Sequence, residues 1–130
     1  RHSAMNALAT RLIPLFLGAL LLTSAHTARA AESPFEGQLI RLAEILGSLH
    51  YLRNLCGESG YEWRDRMQAL LDAEDPGEER RARFVASFNR GYRTFESTYA
   101  SCTDSAIEAI SRYMKEGEAL TRDTATRYGN

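Results

Sequence analysis

Cys56 and Cys102 are the two cysteines of a 130-residue chain. Whether they pair constrains the fold more than any other feature. Joined, they close a loop of roughly 45 residues, and chain-entropy arithmetic assigns such a bridge about 4 kcal/mol before strain. A small domain has only ~5–15 kcal/mol of net stability, so a bridge of that size matters to it. Two thiols cannot supply a four-cysteine zinc site or a disulfide-dense scaffold. A redox-active pair is the functional alternative, but such pairs usually read C-x-x-C, and these two lie far apart.

The amino-terminal segment bears on that choice. Arg11 is followed by an apolar run from Leu12 to Leu22, and then by Ala28-Arg29-Ala30. A positive start, a short apolar run and a small-x-small end read as a secretory signal peptide. The run is shorter than the ~20 apolar residues that span a bilayer, so an uncleaved anchor is disfavoured. The expected organisation is a signal peptide with a short upstream extension over residues 1–30, cleaved after Ala30. A helical bundle over 31–120 and a polar tail over 121–130 follow. No cysteine stands at the expected mature start, so neither a lipid anchor nor a permanent membrane anchor is expected. In an oxidising compartment two cysteines of a small domain pair.

Without Arg1, Arg11 and Arg29, the 16 basic residues of the chain fall to 13 against 17 acidic ones, a net charge of −4. That balance argues against a nucleic-acid partner. Hydrophobic periodicity is helical throughout. Phe35, Leu39, Leu42, Leu46, Leu49 and Cys56 share one side of a first helix, and Ile40, Ile45, Tyr51, Leu52 and Leu55 make it apolar over much of its circumference. Ser33-Pro34-Phe35-Glu36 reads as its capping box, and Gly57 as its stop. Ser59-Gly60-Tyr61-Glu62 reads as a second box, ahead of Trp63, Met67, Leu70 and Leu71. Asp75-Pro76-Gly77-Glu78 ends that helix and starts a third, with the aromatic stripe Phe84, Phe88, Tyr92, Phe95 and Tyr99. A fourth segment carries Ala106, Ile107, Ile110, Tyr113 and Met114. Residues 76–118 form either one helix about 60 Å long or two. A break at 101–104 is expected, since a continuous rod exposes Ile107, Ile110 and Met114. The fold class is therefore all-α, a small three- to four-helix bundle with one disulfide. Short connections make the first and third helices parallel, which places Cys56 and Cys102 at matching ends.

Gly47 and Gly91 stand at nearly the same height above those cysteines. Mid-helix glycine costs about 1 kcal/mol against alanine, so a close helix crossing is one reading and a tolerated surface position the other. Arg53 projects near the middle of the first apolar face. It is either a buried ion-pair member, with Glu58, Glu96 or Asp104 as partner, or it extends outward to water. Arg80, Arg83, Arg90 and Arg93 lie on the third helix away from its aromatics. They either meet an anionic partner or form a solvated face with Glu79. Asn89, Arg90, Tyr92 and Arg93 are the leading candidate contact surface.

Catalytic equipment is sparse. His50 is the single histidine after residue 30, and a partly buried, hydrogen-bonded role suits it better than catalysis. No zinc-protease, EF-hand, haem-attachment or nucleotide-binding motif occurs, and no catalytic, metal or cofactor residue is assigned. The runs Leu49-His50-Tyr51-Leu52-Arg53-Asn54-Leu55-Cys56 and Phe88-Asn89-Arg90-Gly91-Tyr92-Arg93-Thr94-Phe95, with Cys102 and the signal segment, resemble a small family of exported alphaproteobacterial proteins of unknown function. The resemblance covers nearly all of residues 34–120 and implies a periplasmic setting. The expected function is that of a non-enzymatic module that binds or regulates another envelope component, either a protein or an anionic polymer. A periplasmic stress chaperone and a cell-wall hydrolase using a carboxylate pair are the alternatives.

Overall fold

Four helices form in the computed structural model, which describes residues 34–128. They are α1 (Glu36–Leu55), α2 (Glu62–Glu74), α3 (Glu78–Thr98) and α4 (Asp104–Tyr128). The expected signal segment, its expected cleavage point after Ala30 and the expected cap Ser33 lie outside the described residues. The helix of broadest apolar character occupies the centre. α1 buries Leu39, Leu42, Ala43, Ile45, Leu46, Leu49 and Leu52, and it packs against α2, α3 and α4 in turn. A helix apolar over most of its circumference needs neighbours on several sides, and three more amphipathic helices supply them. α2 presents Trp63, Met67 and Leu71 to this core, and α3 presents Phe84.

The helix ends follow local chemistry, though not all in the expected way. Gly57 takes the left-handed conformation (φ +100°) just past α1. The capping boxes expected at Ser59 and Asp75 do not form. Phe35, Tyr61 and Gly77 hold the cap positions of α1, α2 and α3, none with a side-chain cap. Ser59 sits two residues ahead of the cap, and the left-handed Gly60 turns the chain between them. Asp75 is used at the other end of α2, as its left-handed cap with φ +41°. α4 does carry a side-chain cap, since the Thr103 hydroxyl accepts a hydrogen bond from the Ala106 amide at 3.1 Å.

Residues 76–118 are broken rather than continuous. α3 stops at Thr98 and α4 begins at Asp104, and Cys102 lies in the gap, bonded to Cys56. The segment expected as a polar tail, 121–130, is helical over its described part. α4 runs on to Tyr128, with Leu120 packed against the core and Thr124 buried, its hydroxyl donating to the Leu120 carbonyl.

α1 and α3 run in the same direction. Glu36 meets Arg80 near their starts, and Tyr51 donates to the Tyr99 carbonyl near their ends. α4 runs opposite to α1, with Ala106 and Ala109 beside Leu52 and Glu116 beside Arg41. Midway, α1 and α3 cross backbone to backbone. A Cβ on Gly47 would lie 1.9 Å from the Phe88 carbonyl oxygen, and one on Gly91 would lie 2.1 Å from that of Glu44. Neither helix can carry a side chain there, and Ala43 and Ser87 lie buried beside the crossing.

Candidate functional site

The charged side chains fall into two groups, those that tie helices together and those that face outward. Arg80 belongs to the first. Its guanidinium donates to both oxygens of Glu36, at 2.8 and 2.9 Å, and to Glu74 at 3.0 Å. It also lies 5.1 Å above the Phe84 ring. Burial opposes its charge, but the hydrogen bonds and charges of Glu74 and Glu36 outweigh burial and raise its pKa. Arg80 is thus no part of an open contact face; it clamps α1, α2 and α3 at one end of the bundle.

Arg53 is not buried either. Its side chain is 37% exposed and pairs with Glu58 in the α1–α2 connection. Glu58 also accepts from the Trp63 indole at 3.1 Å. Burial pushes the Glu58 carboxyl up, but the hydrogen bonds from Arg53 and Trp63 prevail and hold it below the usual value. A third pair had no sequence signal. Arg41 donates twice to Glu116, at 2.8 and 2.9 Å, and stands 5.2 Å from the Tyr113 ring centre. Sequence spacing gives no register between α1 and α4, so nothing linked these residues beforehand.

His50 is buried between α1 and α3. Its ring lies 6.0 Å from Phe88 and 5.6 Å from Tyr92, and its Nδ1 is 3.4 Å from the Asn54 amide nitrogen. Burial, and then the charge of Arg64 on α2, lower its pKa. Among the described residues, no three His, Cys, Asp or Glu side chains come close enough to hold a metal ion.

The candidate contact residues of α3 separate by face. Tyr92 is half-buried, with its ring edge-on to Tyr51 at 5.4 Å. Arg90 is exposed and leans toward Glu44, 3.3 Å away. Arg83 is exposed on the first half of the helix. Asn89 and Arg93 are exposed one turn apart, on the stripe that begins at Val85. That stripe borders a groove the sequence did not reveal. The backbones of α2 and α3 barely meet, because each helix directs its apolar residues at α1 rather than at the other. The space between them, about 210 Å³, is lined by Arg64, Met67, Gln68 and Leu71 from α2 and by Val85, Phe88 and Asn89 from α3.

Arg64 has no carboxylate partner among the described residues, and its guanidinium lies 5.7 Å from the Tyr61 ring centre. Arg93 likewise has no ion pair among them. The arrangement thus combines an apolar floor, two amide side chains and, toward one end, cations that the fold leaves unneutralised. Compared with curated proteins and with solved structures, the chain has no match. Residues 34–128, which hold all four helices, the disulfide and the groove, match a family described as proteins of unknown function (DUF2385), and the chain belongs to that family.

Proposed function

We propose that the protein is an exported, non-enzymatic binding module that engages another component of the bacterial cell envelope. The observation that carries this reading is the outer surface of α2 and α3, where exposed Asn89 lines an open groove with both apolar and polar walls and exposed Arg93 follows one turn on. Arg80, Arg53 and Arg41, by contrast, each bind carboxylates of neighbouring segments. A surface with an apolar floor and a polar, cationic border has the composition of a contact patch. The Cys56–Cys102 bond supports export, because disulfides persist in oxidising compartments such as the periplasm.

The carboxylates weigh against the hydrolase alternative. A general acid of that kind needs a raised pKa. Glu58 and Glu116 are held below the ordinary value by Arg53, Trp63 and Arg41. Glu36 and Glu74 share one guanidinium.

The test is in-cell photo-crosslinking from position 93, on the exposed stripe, with position 107 on α4 as the control surface. One envelope component captured from position 93 and absent from position 107 is the expected result. Equal labelling from both positions, or none from position 93, refutes the binding reading.

A further inference from the structure

The α2–α3 groove has a size, a composition and a charge that together specify what fits it. Pockets that enclose small molecules run from roughly 300 to 1,000 Å³, and this groove, at about 210 Å³, is smaller. It is open along its length between two helices that barely touch. A space of that size suits one large apolar side chain presented by a protein partner, the usual form of an interface anchor. Its walls supply the apolar contact: Met67 and Leu71 on α2, Val85 and Phe88 on α3. Val85 is 38% exposed, although it belongs to the large apolar residues that folding normally covers.

The charge is confined to one end. Arg64 lines the groove beside Asn89, and Arg93 follows Asn89 by one helical turn, the spacing that sets side chains on one face. Neither arginine is paired with a carboxylate among the described residues. Arg80, Arg53 and Arg41 are all so paired. The fold therefore neutralises its inter-helix cations, and Arg64 and Arg93, like exposed Arg81 and Arg112, stay open to an outside anion; only Arg64 among these lines the groove.

We propose that this groove binds a short segment of a partner protein that inserts one large apolar side chain between Met67 and Val85 and sets an Asp or Glu against Arg64 and Arg93. The assignment rests on the binding reading above and names the partner's chemistry at that surface.

The experiment is selection of phage-displayed random dodecapeptides on the folded, disulfide-bonded protein, followed by affinity measurement on synthetic copies. The expected outcome is a consensus that pairs an apolar anchor (Leu, Phe or Trp) with a nearby acidic residue. Its affinity should fall about tenfold or more in Val85→Glu and in Arg64→Glu, as for a hot-spot contact, and stay unchanged in Ile107→Glu on α4. Val85, Arg64 and Ile107 are exposed, and an unaltered circular-dichroism spectrum confirms each fold. Peptides without an acidic residue overturn the charge assignment. Peptides insensitive to Val85→Glu overturn the groove while leaving a binding role elsewhere on the surface. Failure to enrich any peptide overturns the proposal as a whole. So does retention on anionic phosphatidylglycerol vesicles that Arg64→Glu abolishes, which would make the surface a lipid site. Capture from position 93, where the crosslinker replaces one of the two arginines, with no peptide enriched would leave the binding reading standing and overturn this assignment alone.

Discussion

Gly47 and Gly91 show how much a single missing atom can matter. At each, the partner helix's carbonyl occupies the place a Cβ would take. Gly47→Ala or Gly91→Ala must push backbone against backbone, and overpacking of this kind costs about 1–3 kcal/mol or more. Gly37 is the control, since nothing lies within 4 Å of its added Cβ. Gly37→Ala should stabilise the protein by about 0.5 kcal/mol through helix propensity alone. Urea unfolding midpoints that move in opposite directions are the expected outcome. Equal shifts would show that α1 and α3 do not cross closely.

His50 makes a second prediction at the same scale. Burial among Phe88 and Tyr92, facing Arg64, lowers its folded pKa below 6.5. The unfolded chain therefore takes up the proton first. By linkage, stability is full above about pH 6.5 and falls as the pH drops toward the folded pKa, below which this contribution is constant. The groups facing the ring are Asn54 on α1, Phe88 and Tyr92 on α3 and Arg64 on α2. None is an acid that would hold the imidazolium. His50→Asn should flatten the stability profile below pH 6.5, followed by chemical denaturation at a series of pH values. A slope unchanged by that substitution refutes the assignment. The lowered carboxyls of Glu58 and Glu116 add a further loss below about pH 4.5, because their folded-state charge favours the native form only while they are ionised.

At the scale of elements, Arg80 joins three helices through one guanidinium. Its removal strands Glu36, whose side chain is 9% exposed, and Glu74 beside it. A broken buried pair costs about 3–5 kcal/mol, and partial solvent access at Arg80 reduces that to about 2 kcal/mol. Arg80→Ala should therefore lower the thermal midpoint by more than Arg66→Ala, whose exposed i,i+4 pair with Glu62 contributes a few tenths of a kcal/mol. Lysine at position 80 should restore only part of the loss, since a single ammonium cannot serve two carboxylates in the geometry of a planar fork. Equal midpoints for the two alanine variants would show that Arg80 is no clamp. The capping boxes expected from sequence fail at this scale for a local reason: tight turns through Gly60 and Asp75 place other residues at the helix starts. Thr103 caps α4 because the chain leaves the break at 99–103 directly into the helix.

For the whole molecule, the Cys56–Cys102 bond closes the end of the bundle opposite the Arg80 clamp. Replacing both cysteines by serine should cost up to about 4 kcal/mol, the loop-closure entropy of a loop of this length. That corresponds to a fall of roughly 15–30 °C in thermal midpoint for a domain of this size. The Tyr51–Tyr99 hydrogen bond remains to hold α3 to α1 at that end, so a folded but less stable protein is expected. A midpoint unchanged by reduction would mean that the bridge adds nothing to the fold.

The sequence by itself determined the helical class, the central place of an apolar α1, the aromatic and aliphatic face of each helix and the break ahead of Asp104. All of these follow from residue spacing and local backbone preference, which act over a few positions at a time. Only the tertiary structure decided that Arg80 is a clamp while Arg64 and Arg93 remain unpaired, that Arg41 reaches Glu116, and that α2 and α3 leave a groove between them. Those outcomes depend on register between helices far apart in the chain. Register is set by the summed packing of the whole core, which no single segment encodes.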